Sequence, residues 1–245
     1  MKHLLVFVVL AAAALASCGK FTITPPLASP PSNISKQIWT GDSGGFTILW
    51  TTGDITAAPR ATPKKTVLSE LGRTVVDFHE MMTKQRADCD LVRQAKLQSV
   101  VGTIVSIQYD DSMRCTSGAN GTGRGSVAID LSHPKTPLAL SKLFPTHELD
   151  ALRSKASHFC KVVPKDLFSR FAFSELHANT VIVAVSLPPD CSESEIDLAL
   201  NVPVALKQPL GLAAQRKAGF LRHDQGAVSG GEATTVNYHY RTSMQ

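Results

Sequence analysis

The sequence predicts an α+β fold, a mainly antiparallel sheet with two principal helices packed on it. Apolar and polar residues alternate over residues 101–110 and again over 127–131, the period of half-buried strands. Apolar side chains at Val67, Leu71, Val75, Phe78 and Met82, and later at Leu149, Leu152, Ala156 and Phe159, recur every three or four residues, the mark of helices with one buried face. Three further strands read from residues 168–174, 180–187 and 196–202, the middle one apolar enough to be central in a sheet.

Before the folded part comes an address. Lys2 and His3 precede an apolar run over residues 4–15. Such a run suits a signal-peptide core (roughly 7–15 residues) and is too short to span a bilayer, which needs about 20. Leu15-Ala16-Ser17-Cys18 then looks like a bacterial lipobox, with residues 1–17 removed and Cys18 acylated. An ordinary signal cut after Ala14-Leu15-Ala16 is the alternative. Acyl chains contribute about 0.8 kcal/mol per buried methylene, enough in combination to hold a protein at a membrane. Gly19 in place of an aspartate favours, by bacterial sorting rules, the outer membrane facing the periplasm. Residues 18–35, with Pro25, Pro26, Pro30 and Pro31, read as an extended tether rising about 3.1 Å per residue. Residues 36–212 form the domain. Residues 213–245 read as mostly disordered, with alternation only over 234–240.

Within the domain a strand is expected at residues 46–51, after Gly41-Asp42-Ser43-Gly44-Gly45. That pentapeptide matches the nucleophile signature of chymotrypsin-like proteases, whose histidine and aspartate come earlier in the chain. The only histidine upstream is His3, so a glycine-rich turn is the better reading. Thr62-Pro63 reads as the cap and first residue of a helix reaching about Lys84. Thr146 reads as the cap of the second helix, and a short helix is expected over residues 203–210. His79-Glu80 and His147-Glu148 lack the second histidine of a zinc-protease helix, with Thr83 and Ala151 in its place.

Cys89, Cys115, Cys160 and Cys191 are left once Cys18 is set aside, an even set suited to disulfides outside the cytosol. If residues 91–98 and 103–110 are the arms of a hairpin turning near Gly102, Cys89 meets Cys115 at its open end. The same construction on residues 168–174 and 180–187 brings Cys160 towards Cys191. No zinc-site spacing joins these cysteines to histidines, and neither metal nor cofactor is expected. The net charge of +5 comes from scattered lysines and arginines rather than runs, which argues against a nucleic-acid partner.

Between the two alternating strands lies Ser117-Gly118-Ala119-Asn120-Gly121-Thr122-Gly123-Arg124-Gly125, read as a glycine-dense loop. Gly118, Asn120, Gly121 and Arg124 are its candidate ligand-binding residues, Arg124 as a fixed positive charge and Asn120 as donor and acceptor. A mobile hairpin connection is the bland alternative. Trp39 and Trp50 are candidates for a sugar-stacking platform, set against burial in the core. Asp110 and Asp111, adjacent on a strand, point to opposite faces and do not make a catalytic pair.

Val105-Ser106, Gly118-Ala119-Asn120-Gly121, Asp130-Leu131, the Leu138 to Phe144 segment and Val202-Pro203-Val204 with Leu206 occur in an order that resembles one family. It is the extracytoplasmic domain at the C-terminus of the anti-sigma factor RsiV, found also beside the catalytic domain of PdaC-type peptidoglycan deacetylases. Asn120 stands where that family tends to have histidine, so no imidazole role carries over. The resemblance implies an α+β domain in the cell envelope that binds wall material or, in the RsiV branch, lysozyme. The expected function is therefore a membrane-anchored, non-catalytic binding module for peptidoglycan or an envelope protein. A lysozyme-binding lipoprotein and, further off, a cell-wall hydrolase are the alternatives.

Overall fold

The computed structural model describes residues 22–23, 27–28, 35–62, 64–70, 88–136, 138–215, 219–221, 232–240 and 242–243. Two short strands come first, β1 (Thr22–Ile23) and β2 (Leu27–Ala28). A meander follows: β3 (Gln37–Ser43), β4 (Phe46–Thr51), β5 (Ile55–Pro59) and β6 (Thr66–Val67), paired in that order as a four-stranded sheet. Gly44 and Gly45, at φ of 56° and 84°, make the turn between β3 and β4. The Gly-Asp-Ser-Gly-Gly stretch is thus a hairpin end.

The centre of the molecule is a long hairpin, β7 (Cys89–Val101) and β8 (Ile104–Cys115), followed by β9 (Asn120–Asp130). Helix α1 (Thr146–Phe159) comes next. The strands β10 (Phe171–His177), β11 (Thr180–Ser186) and β12 (Glu195–Asn201) then form a three-stranded sheet. Helix α2 (Val204–Ala214), β13 (Phe220–Leu221), β14 (Thr234–Tyr240) and β15 (Thr242–Ser243) complete the described chain. The central sheet runs β2-β14-β7-β8-β9, with β13 also on β7, while β1 pairs β15 as a separate ribbon.

This arrangement corrects the expected α+β class. The fold is mainly β, with 49% strand against 18% helix and only α1 and α2 as α-helices among the described residues. Two differences account for it. Thr66 and Val67, expected inside the first helix, are β-branched residues that pair with Ala57 and Thr56 of β5. Residues 64, 65 and 68–70 of that expected helix are not helical, and its Pro63 and residues 71–84 lie outside the described residues. The segment 213–245, expected to be mostly disordered, contributes β13, β14 and β15, and β14 pairs with β7 along its whole length. The expected tether contributes β1 and β2 in the same way. Thr146 is the first residue of α1, and Pro145 occupies the cap position.

Both faces of the central sheet are covered near the β7–β8 turn. Val105, Ile107, Val127 and Ile129 pack with Ile48, Trp50, Ile55 and Ala57 of the four-stranded sheet. On the opposite face Val101, Ile104 and Ala128 join Phe171, Val183 and Leu200 of the three-stranded sheet, with Leu152 of α1 and Leu210 of α2. Fully burying one such aliphatic side chain is worth about 1.5–3 kcal/mol.

One buried element of the central sheet is ionic. Arg93 donates from Nε to Asp111 Oδ1 at 2.8 Å and from Nη2 to Oδ2 at 2.7 Å, with both side chains almost wholly out of water. The guanidinium also lies 4.3 Å from the centroid of the Tyr109 ring. Burial works against the charged guanidinium, but the hydrogen bonds and charge of Asp111 outweigh it and raise its pKa above that of a free arginine. Because a buried pair is costly to break but replaceable as a unit, Asp111→Asn is expected to lose about 3–5 kcal/mol. The double variant Arg93→Met, Asp111→Leu is expected to recover most of that loss in urea titration. A single-variant loss below about 1 kcal/mol would show that the pair contributes little.

A candidate ligand-binding cleft

Alternation divides the outer half of the central sheet into two unlike faces. On one, Met113, Asp111 and Tyr109 of β8 stand opposite Gly121, Gly123 and Gly125 of β9. A Cβ added to Gly125 would lie 2.6 Å from Tyr109 Oη and 2.7 Å from its Cζ, and one on Gly121 would lie 3.1 Å from Met113 Cε. Alternate glycines therefore seat the larger side chains of the neighbouring strand, and the Tyr109 ring covers a glycine on an edge strand.

This corrects the expected glycine loop over residues 117–125. Only residues 116–119 lie between β8 and β9, closed by Cys115 N–H to Ala119 O at 2.9 Å, and pairing begins at Arg114 with Asn120. Gly118 lies in that turn at φ 83° and is exposed. Gly121 and Arg124 are strand residues on opposite faces. The structure therefore brings Asn120 and Arg124 together on one face and leaves Gly118 at the tip.

That face is the floor of a cleft of about 740 Å³, built from Val92 and Gln94 of β7, Asp110 and Ser112 of β8, and Thr122 and Arg124 of β9. Its wall is the connection 187–194 between β11 and β12, including Pro188, Pro189, Ser192 and Glu193. An adjoining hollow of about 790 Å³ toward the open end of the hairpin is bordered by Asp90, Arg114, Asn120 and Gly121. The wall is the part that sequence reasoning missed. Its signal was present in Pro188-Pro189 and Cys191, which end one strand and fix the chain before the next.

Two disulfides hold the cleft, paired as expected. Cys160–Cys191 fastens the wall to the end of α1, reinforced by Ser192 N–H to Phe159 O at 2.9 Å. Cys89–Cys115 closes the far end of the floor, where the two residues stand directly opposite in register. Crosslinks closing loops of 26 and 31 residues stabilise by about 3–4 kcal/mol each in the chain-entropy model.

Charge in the cleft is mostly paired. Arg124 Nε lies 2.5 Å from Asp110 Oδ1, and this hydrogen bond, with the charge of Asp110, raises the arginine's pKa. Asp111 is turned to the opposite face by strand alternation and bound by Arg93. Asp90 meets His239 Nδ1 at 2.7 Å. Asp190, Glu193 and Glu195 give the wall and its exit an acidic character. Among the described residues no three His, Cys, Asp or Glu side chains gather as a metal site. Trp50 is buried, and Trp39 packs on Phe220 with ring centroids 5.4 Å apart, so both belong to the core and neither forms a stacking platform.

No family model matches this chain, and no curated protein or solved structure matches it.

Since Gly125 seats the Tyr109 ring, Gly125→Ala is expected to cost about 1–3 kcal/mol through overpacking. Thr122→Ala, on the open cleft face, should stay within about 0.5 kcal/mol of the parent protein. Thermal melts of the two variants decide the point; equal melting temperatures would refute the seating argument.

Proposed function

We propose that this chain is a non-catalytic binding module, held at the bacterial cell envelope by acylation of Cys18, with the cleft over β7, β8 and β9 as its ligand surface. The observation that carries the reading is the pair of disulfides bracketing the cleft, one fixing its wall and one the end of its floor. Such bonds belong to an oxidising compartment, in keeping with a secreted, lipid-anchored protein. A rigid cleft loses little conformational entropy on binding. Its carboxylates favour holding over transforming, because Asp110 and Asp111 are each engaged by an arginine and face opposite sides.

Peptidoglycan or an envelope protein is the proposed ligand class, with Asn120 and Arg124 as contact residues. The acidic wall, with Asp190 and Glu193, favours keeping basic lysozyme as the second reading. The resemblance to the RsiV domain points the same way, resting on its short motifs alone.

The test is retention of the detergent-solubilised full chain on purified sacculi and on immobilised lysozyme, with mass spectrometry of residue 18. Sacculus retention is expected, and Asn120→Ala with Arg124→Glu should weaken it about tenfold, the equivalent of 1.4 kcal/mol. Retention on lysozyme alone selects the second reading. Turnover of labelled wall fragments would overturn both, and an unacylated Cys18 in the native product would remove the anchor.

A further inference from the structure

The two edges of the central sheet are treated differently. Among the described residues the β2 edge is two residues long, and in sequence it is flanked by Pro25, Pro26, Pro30 and Pro31, a residue type that discourages strand pairing. The β9 edge is eleven residues long and contains neither proline nor lysine. Leu138 N–H bonds to Ala128 O at 2.8 Å on its outer side, which fixes the residues whose backbone groups point outward. By alternation these are Asn120, Thr122, Arg124, Ser126 and Ala128. Among the described residues only Ala128 has an outer backbone partner in this set. The side chains of Asn120, Thr122 and Arg124 border the cleft and its adjoining hollow, so the open edge and the cleft are continuous.

We propose that β9 accepts an extended cationic peptide segment as an added strand, paired to the backbone of Asn120, Thr122 and Arg124, with alternate side chains entering the cleft under the 187–194 wall. The inference rests on the reading of the cleft as the ligand surface and names its occupant. Main-chain pairing supplies affinity, and the pockets met by every second side chain supply preference. Charge selects the cation at the wall end of the cleft, away from Arg114 in the adjoining hollow. Arg124 and Asp110 neutralise each other, Arg93 takes the charge of Asp111, and Glu193 in the wall has no ion-pair partner among the described residues. A second copy of the chain is disfavoured by the same wall. A twofold axis between two antiparallel β9 edges would run perpendicular to the sheet and keep both clefts on one side. Two acidic walls, each with Asp190 and Glu193, would then stand near each other.

The experiment titrates the detergent-solubilised full chain into a fluorescein-labelled, end-blocked decapeptide of alternating lysine and valine and reads anisotropy. Saturable binding is expected, weakened about tenfold or more when alternate backbone nitrogens of the peptide are methylated, since main-chain donors carry this mode. Replacing its lysines by glutamates should weaken binding about tenfold. Thr122→Pro removes an outward N–H that β8 does not use and should abolish binding, with circular dichroism checking the fold. Glu193→Lys, on the wall, should weaken it about fivefold without touching the sheet. Equal binding of the methylated peptide overturns strand addition while leaving a ligand-binding cleft intact. No peptide binding alongside sacculus retention overturns this inference and not the proposed function. Concentration-dependent dimerisation lost in Thr122→Pro overturns the occupant named here in favour of a second copy.

Discussion

Arg93 and Asp111 stand opposite each other in the β7–β8 register, and the two-pronged bond between them forms in a layer that water does not reach. A slip of one residue turns every side chain of a strand to the other face, so register is strongly specified wherever a face is buried. Here a slip would bury Asp110 and drive Asp111 into the cleft. It would also part Cys89 from Cys115, which are held opposite at the end of the same ladder. Covalent and ionic constraints therefore specify one register, and that register decides which residues of β9 face the cleft.

The dependence reaches β9 through the side chains of β8. Tyr109 and Met113 overhang the neighbouring strand, and the Tyr109 ring also covers the Arg93 guanidinium. Any β9 residue with a Cβ at position 125 would push the ring off both. The glycines cost β9 some intrinsic strand preference, which the ordered overhang of its neighbour offsets. The result is an edge strand whose buried face is smooth and whose other face carries Asn120, Thr122 and Arg124.

Much of this was legible in the residues, for physical reasons that differ by segment. The β7–β8 hairpin and β10–β11 could be read because their apolar residues alternate, and both disulfides follow once those hairpins are drawn. The second half of β9 was legible from its alternation over 127–131, but residues 120–125 were read as a loop because glycine has no side chain to reveal a period, although Gly121, Gly123 and Gly125 are themselves spaced by two. The four-stranded sheet was legible only at β4, since β5 is Ile-Thr-Ala-Ala-Pro and β6 is two residues long. Alternation in β14 was visible, but its partner β7 lies far back in the chain, and no local signal reports such a pairing. Of the candidate site, Asn120 and Arg124 were identified from sequence, whereas the wall at 187–194 depends on a tertiary approach that spacing does not encode.

The strands at the two ends of the described chain bear on how an acylated form of the molecule would sit at a membrane. An extended proline-rich tether would hold the domain well away from its anchor, yet β1 begins at Thr22, four residues after Cys18, and is already paired with β15. At most about 3.6 Å per residue can be spanned by extended chain, so an acyl group on Cys18 would stand within roughly 14 Å of that ribbon. β2 then joins the central sheet through β14, on the edge opposite β9. Were Cys18 acylated, β2 would lie on the side joined to the lipid and β9 with its cleft would lie across the full width of the sheet. The binding module proposed above would be served by that polarity, because β9, which has no partner strand on its outer side among the described residues, is the strand farthest in strand order from β2.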